Sequence, residues 1–387
     1  MLRIKERIER VENNLKEVEY KDGLNIAFSG GKVSILERMQ SFKVPGVSIS
    51  VINDYEVEWA KSYGVKDVRT ENIATTDTLF EAGSTSKALT AAAILHLVER
   101  KSLDLDGSVN DKLVTWKIPN NEYTGETKIN LRHLLTHTSG INRPDGGFEI
   151  EKEKTPTLNQ VLNGESPAVN GPVKVLTFPG KKHDYSNFGY LIIQKLLEDV
   201  TGTPFSAIMS KIVFKPLEMN NSTFEYPSEE LKKKATVPHD EKGEAKEPGL
   251  HPTALAQGGL LTTPLDLGKY VVELMNAFNG KSSRILSSSM VKKMFTPEIS
   301  LNPKEFMGIT GQGLGIFIIE KEKDVFFTHP GVNMPGATCN MMGCAETGQG
   351  TVIMTNGING SLLSLEILFS IAQEYKWSLW ANQLESV

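Results

Sequence analysis

Ser84 and Lys87 lie three residues apart in Phe80-Glu81-Ala82-Gly83-Ser84-Thr85-Ser86-Lys87, and this pair could do chemistry. The stretch continues as Ala88-Leu89-Thr90-Ala91-Ala92-Ala93-Ile94-Leu95 with neither Pro nor Gly through Arg100. That pattern predicts a buried helix with Ser84 at its start. Three residues is close to one turn, so Lys87 falls on the same face as Ser84. A serine hydroxyl is a weak nucleophile until a base takes its proton, and a lysine amine held neutral is such a base. The helix start adds free N–H groups and a partial positive charge where an oxyanion would form. Spacing alone does not select the pair, because Ser29/Lys32 and Ser289/Lys292 share it. The surrounding residues must.

Two more short patterns follow in order: Tyr185-Ser186-Asn187, then His329-Pro330-Gly331 at the end of a predicted strand. With Ser-x-x-Lys, Tyr-x-Asn and His-x-Gly in this order, the chain resembles the β-lactamase and penicillin-binding-protein superfamily of serine hydrolases. Within it, the resemblance is to the class C β-lactamase, DD-peptidase and esterase branch. Val44-Pro45-Gly46-Val47-Ser48, Leu134-Leu135-Thr136-His137-Thr138-Ser139-Gly140, Gly258-Gly259-Leu260-Leu261-Thr262-Thr263 and Thr355-Asn356-Gly357 resemble its flanking signatures. The resemblance covers about residues 34 to 380.

The resemblance implies Ser84 as the acylated nucleophile, with Lys87 and Tyr185 sharing proton abstraction and delivery to the leaving group. It places Asn187 in that network and on the substrate, and makes an oxyanion hole of the Ser84 and Val332 backbone N–H groups. Lysine and tyrosine both titrate near ~10 when unperturbed, so one must be shifted near neutrality. Which of them is the base stays open, and the pair can titrate as a unit. His329 departs from the resemblance, since the antibiotic-destroying members carry a lysine there. An unperturbed imidazole is mostly neutral at about pH 7.5 and mostly charged at about pH 5.5. It would read a substrate carboxylate only at the acid end, which favours esters and amides over β-lactams. Gly331 suits a substrate backbone lying close against the strand.

On this reading the chain is a serine hydrolase that acts through an acyl-enzyme on carboxylic esters or amides. The alternatives are a D-amino-acid peptidase, a true β-lactamase and, outside catalysis, a penicillin-binding sensor or scaffold. No cofactor and no metal are expected. His133 and His137 stand at i and i+4, as ligands on a helix can, but the Glu of His-Glu-x-x-His is missing. There is no Gly-x-Ser-x-Gly elbow and no phosphate-binding loop.

The elements that must position these residues follow from periodicity. Residues 47–52 alternate at the strand period and 56–63 form a second strand, giving an antiparallel hairpin. Helices are predicted over 34–42, 131–136, 188–200, 205–212, 264–278, 288–295 and 362–375. Late strands are predicted over 314–320, 325–329, 338–343 and 351–355. Ile4, Ile8, Val11, Leu15 and Val18 recur at helical spacing, so the first segment reads as an amphipathic helix docked on the body. Residues 21–32 read as a Gly-punctuated loop and 227–252 as a surface excursion. The predicted fold class is α/β (α+β), β-lactamase-like. Residues 1–83 and 300–387 supply an antiparallel sheet flanked by terminal helices, with 1–33 as a helical extension. Residues 84–299 form an inserted, mainly helical domain, and the active site lies in the cleft between.

Charge and cysteine content bound the partners. The net charge of -5, with no basic stripe, argues against nucleic acid and leaves a small-molecule ester, amide or β-lactam. A homo-oligomer stays open. Cys339 and Cys344, five apart in a predicted strand, point to opposite faces and should not pair. The start of the chain is charged from Arg3 and lacks an apolar signal core, and no stretch could span a bilayer, so a cytoplasmic location is expected.

Overall fold

The computed structural model describes residues 2–23, 25–144, 148 and 154–380. Its centre is β3 (Gly46–Asn53), which is buried on both faces. Val47, Ile49 and Val51 point to one side, where they join the core beneath the terminal helices. Ser48 and Ser50 point to the other side and are satisfied there, Ser48 by the Ser62 hydroxyl at 2.8 Å and Ser50 by the Pro264 carbonyl at 2.7 Å. β3 pairs antiparallel with β4 (Glu56–Asp67) and with β14 (Gln349–Thr355), so the two ends of the chain meet in one sheet. Outward from β4 lies β5 (Asn72–Ile73). Outward from β14 come β13 (Ala337–Cys344), β11 (Asp324–Thr328), β10 (Phe317–Lys321), β9 (Gly311–Gln312) and β8 (Ile299–Ser300). β12 (Gly331–Asn333) pairs with β13 beside this path. Cys339 and Cys344 are free and buried in β13. Residues 314–316, predicted as strand, stand outside β10 because Gly313 and Leu314 bond instead to the Ile316 and Met294 carbonyls.

One face of the sheet is covered by α1 (Leu2–Asn13), α2 (Ile35–Phe42) and α11 (Gly360–Glu374). Ser34 and Glu37 close a reciprocal capping box that starts α2. Arg10 grips Glu374 through two bonds of 2.8 Å, and Arg38 grips Glu366 through two of 2.7 Å. These pairs fix α1 and α2 against α11. The first segment therefore docks on the body, but it is not one helix. α1 stops at Asn13, whose side chain takes the Glu9 carbonyl at 2.8 Å. Leu15 belongs to β1 (Leu15–Asp22), and residues 21–32 are not a loop, because β2 (Asn25–Val33) pairs antiparallel with β1. The pairing register shifts between Leu15 and Glu17, with the extra residues in β2, and Leu15 and Val18 both pack inward at a spacing that mimics a helix. Phe28 of β2 stands edge-on to Phe369 of α11, and that packing holds a strand where glycines argued for none.

The opposite face carries α9 (Pro264–Phe278), with α10 (Ser288–Phe295) against it. Thr263 caps α9 by accepting the Asp266 N–H. The mainly helical middle comprises α3 (Ser86–Glu99), α4 (Leu131–Leu135), α5 (Leu158–Asn163), α6 (Asn187–Thr201), α7 (Phe205–Met209) and α8 (Glu229–Lys234). α7 runs on into a π-helical turn over Ser210–Phe214. A short pair, β6 (Phe80–Glu81) with β7 (Leu261–Thr262), leads the chain into α3. Residues 227–252 are not wholly a surface excursion. His239 is fully buried, and its N–H bonds the Asn356 carbonyl at 2.8 Å, stitching that segment to the end of β14. We propose the division into a sheet lobe and a helical lobe at 84 and 299, with α9 interlocking the two because it lies on the sheet. Among the described residues no helix is long and apolar enough to cross a membrane.

Candidate active site

Ser84 lies in a single 3-10 turn, Gly83–Thr85, that opens directly into α3. The Ala-rich run buries α3 on every side over its first ten residues, and Lys87 is carried into the core with no exposure. Its Nζ is 3.1 Å from Ser84 Oγ and donates to the Gln257 carbonyl at 2.6 Å. Burial holds the Lys87 amine well below the ordinary lysine value. The amine stands 5.0 Å from the centre of the Tyr185 ring, a contact that brings Tyr185 and Lys87 together from segments far apart in the chain.

Tyr185 precedes α6, and its phenol neighbours the Ser84 hydroxyl. Burial drives its pKa above the ordinary tyrosine value, and the Ser84 hydroxyl opposes that only in part. The two candidate proton carriers are thus pushed in opposite directions, the amine toward the neutral base and the phenol toward the neutral acid. Asn187 opens α6, and its Oδ1 is buried with no hydrogen-bond partner among the described residues. Lys87 has the Gln257 carbonyl as its second partner.

Gly331 and Val332 lie in β12, pressed against the Gly83–Thr85 turn. A Cβ on Gly331 would come 2.0 Å from the Ala82 carbonyl oxygen, and one on Gly83, at φ +52°, would come 2.6 Å from Val332 N. Both positions therefore exclude any side chain, which lets the Val332 backbone approach the nucleophile turn. Gly331→Ala should force the strand and the turn apart, costing about 1–3 kcal/mol of stability. Thermal unfolding measured beside ester turnover checks this, and an unchanged melting curve with full activity would contradict the packing.

His329 directly follows β11 and is 1% exposed, so it does not line the cleft as an accessible pH-dependent cation. Burial, with the charge of Lys87 adding to it, pushes its pKa down to about 3. Its Nδ1–H donates to the Pro330 carbonyl at 3.0 Å, and Nε2 is buried without a partner among the described residues. The expected charging near pH 5.5 is thereby corrected: the imidazole stays neutral across that range.

His133 and His137 do not share a helix face, because α4 ends at Leu135 and His137 adopts a left-handed φ of 55°. His137 instead stacks on Tyr185, with ring centres 4.1 Å apart, and its Nδ1 accepts the Ser186 N–H at 3.2 Å. The sequence reading missed this role, and it missed the Gln257 carbonyl. Each adjoins or lies in a stretch quoted for the resemblance, but nothing in residue type marks a backbone carbonyl as a lysine's partner.

The Beta-lactamase family model matches residues 34–362. An octameric penicillin-binding protein homologue from Pyrococcus abyssi is 29% identical, with a TM-score of 0.71, over 88% of this chain and 77% of that one. A D-amino acid amidase from Ochrobactrum anthropi SV3, 22% identical, shares the fold with a TM-score of 0.69 over 88% of this chain and 96% of its own. Protein flp of Staphylococcus aureus (strain MW2) is 30% identical over 188 residues, which is 48% of this chain and 36% of that protein. The unguisins hydrolase ungD of Aspergillus violaceofuscus is 28% identical over 206 residues, 49% of this chain and 33% of its own. The match thus spans only about a third of these two curated relatives. With the ordered Ser84, Lys87 and Tyr185 gathered in one site and the family match running through all three, the chain belongs to the beta-lactamase family.

Proposed function

We propose that this protein is a serine hydrolase that opens neutral carboxylic esters or amides through an acyl-enzyme on Ser84. The observation that carries the reading is the 3.1 Å approach of a fully buried Lys87 amine to the Ser84 hydroxyl. A neutral amine offers N–H to the Gln257 carbonyl and its lone pair to the hydroxyl. As Ser84 Oγ attacks the substrate carbonyl, Lys87 takes the proton. The N–H groups of Ser84 and Val332 receive the oxyanion. Tyr185, held as a neutral phenol, delivers a proton to the leaving alcohol or amine, and water then releases the acyl group by the reverse route. The unpartnered Oδ1 of Asn187 is placed to accept a substrate N–H.

The preference for neutral substrates rests on charge. His329 is neutral, and Arg143, whose field reaches Tyr185 and His137, is already paired with Asp184 at 3.1 Å. A penicillin or a peptide with a free C-terminus would have to place its carboxylate without help from His329 or from an unpaired Arg143. The acylation ratio of a penicillin to a neutral ester should therefore stay level from about pH 5.5 to 8. A charge-assisted hydrogen bond is worth roughly 1.5–3 kcal/mol, so a rise of about tenfold or more toward acid pH would show His329 charging. p-Nitrophenyl esters, D-alanyl peptides and a chromogenic cephalosporin, tested on one preparation, rank the substrate classes. Turnover of the cephalosporin above every ester would overturn the ester reading. The octameric relative supports a homo-oligomer for this chain, which light scattering on the purified protein would test.

A further inference from the structure

Glu81 lies three residues before the nucleophile and takes no part in the chemistry proposed above, yet it is 2% exposed in the crowded strand pair that launches α3. Its Oε2 accepts a hydrogen bond from Asn333 Nδ2 at 2.8 Å. The same nitrogen donates to the Gly258 carbonyl at 3.0 Å. Asn333 directly follows Val332, and Gly258 directly follows Gln257, whose carbonyl holds the Lys87 amine. Gly258 also packs tightly here, since a Cβ on it would meet Asn333 Oδ1 at 3.2 Å. Three segments that supply different parts of the site therefore converge on one amide and one carboxyl: β6, the turn before β7, and β12.

We propose that Glu81 is a positioning residue that acts through Asn333 to place both the Val332 N–H and the Gln257 carbonyl. The inference rests on the hydrolase reading for its consequence, though not for its geometry. An ionised carboxylate accepts a stronger hydrogen bond from Asn333 than a neutral acid does, so the convergence tightens when Glu81 loses its proton. Burial moves that event to a useful pH, raising the carboxyl from its ordinary value to about 7, against the lowering effect of the Asn333 bond. On the elements packed against β6 the titratable groups are the thiols Cys339 and Cys344 of β13, and Lys87 stands six residues further along the chain in α3. None of them contributes to the shift, which comes from burial and Asn333. The site should therefore be better ordered, and faster, above neutrality than below it.

Glu81→Gln keeps the shape and an acceptor oxygen but cannot ionise, and Asn333→Ala cuts the link while leaving Glu81 in place. With a neutral p-nitrophenyl ester, the wild-type kcat should rise through about pH 7. Glu81→Gln should match it near about pH 5.5 and fall roughly tenfold behind above about pH 8, with KM little changed. Asn333→Ala should lose the same inflection although the carboxyl remains. Independently of turnover, the side-chain amide signal of Asn333 in a nitrogen-15 NMR spectrum should move with a midpoint near 7 in the wild type and stand still in Glu81→Gln. Superimposable pH profiles for wild type and Glu81→Gln, or an Asn333 signal that ignores pH, would overturn the proposal. A wild type that turns over no ester at any pH while the Asn333 signal still titrates would sink the hydrolase reading and leave the link standing.

Discussion

Ser84→Ala is expected to lower ester turnover by about 10⁴–10⁶-fold, the scale seen when a residue of a cooperating catalytic set is removed. The loss follows from geometry. Ser84 Oγ is the atom the buried Lys87 amine reaches, and the Gly83–Thr85 turn presents it beside the Val332 backbone. Removing one half-exposed hydroxyl empties little volume, so the fold should survive and circular dichroism should not change. Mass spectrometry after a slow acylator or a reactive phosphonate should find the adduct on the peptide that holds Ser84. An adduct on Ser289 instead, or full turnover by the alanine variant, would sink the assignment. A stoichiometric adduct on Ser84 with no turnover of any ester, amide or β-lactam would favour the sensor reading over the enzyme.

Removing either proton carrier should cost about 10²–10⁴-fold, and removing both should be scarcely worse. Lys87→Met is the variant to use, because its side chain fills the buried space that alanine would leave empty. Tyr185→Phe keeps the ring that His137 stacks on and deletes only the phenol oxygen. In the proposed scheme the two groups share one proton relay, Lys87 taking the Ser84 proton and Tyr185 protonating the leaving group, so losing the first leaves the second little to do. If the two losses multiply in the double variant, the residues work independently and the shared-proton scheme fails. The pH profile gives a second check. Lys87 accepts a proton only in its neutral form, and burial has lowered its pKa, so wild-type kcat/KM should climb with pH on an acid limb well below the ordinary lysine value. Lys87→Met should remove that limb. A limb that persists unchanged in Lys87→Met belongs to another group.

Much of the fold could be read from periodicity alone. The hairpin of β3 and β4, the late strands β10, β11, β13 and β14, and helices α2, α6, α9, α10 and α11 all stand within a few residues of where alternation and helical spacing put them. Each buries a regular apolar face, and such a face leaves a regular trace in sequence. The errors have local causes. Leu15 and Val18 kept helical spacing across a shift in the pairing register, and β2 formed through Gly30 and Gly31 because Phe28 had an aromatic partner on α11. Thr236 and His239 looked like surface in a charged, Gly-containing stretch, yet both are buried, with backbone bonds to Leu79 and Asn356.

The sequence by itself determined which atoms are available for chemistry. A serine, a lysine one helical turn on, a tyrosine and a glycine-bearing strand end appear in an order that specifies the family, and the lysine's spacing already aims it at the serine. It also marked Gly331 as a point of close approach, read there as room for a substrate backbone, whereas the fold fills that space with the Ala82 carbonyl and Thr85. Only the tertiary structure decided what those atoms do at neutral pH. In the proposed scheme Lys87 serves as the base because the folded chain strips water from it and hands it the carbonyl of Gln257, 170 positions away. His329 is a neutral imidazole rather than a switch because the same folding encloses it, and Glu81, unremarkable as a letter in the chain, becomes an acid near neutrality for the same reason. Desolvation depends on everything packed around a group in space, most of it distant in sequence, so the identity of a side chain can be read along the chain but its protonation state cannot.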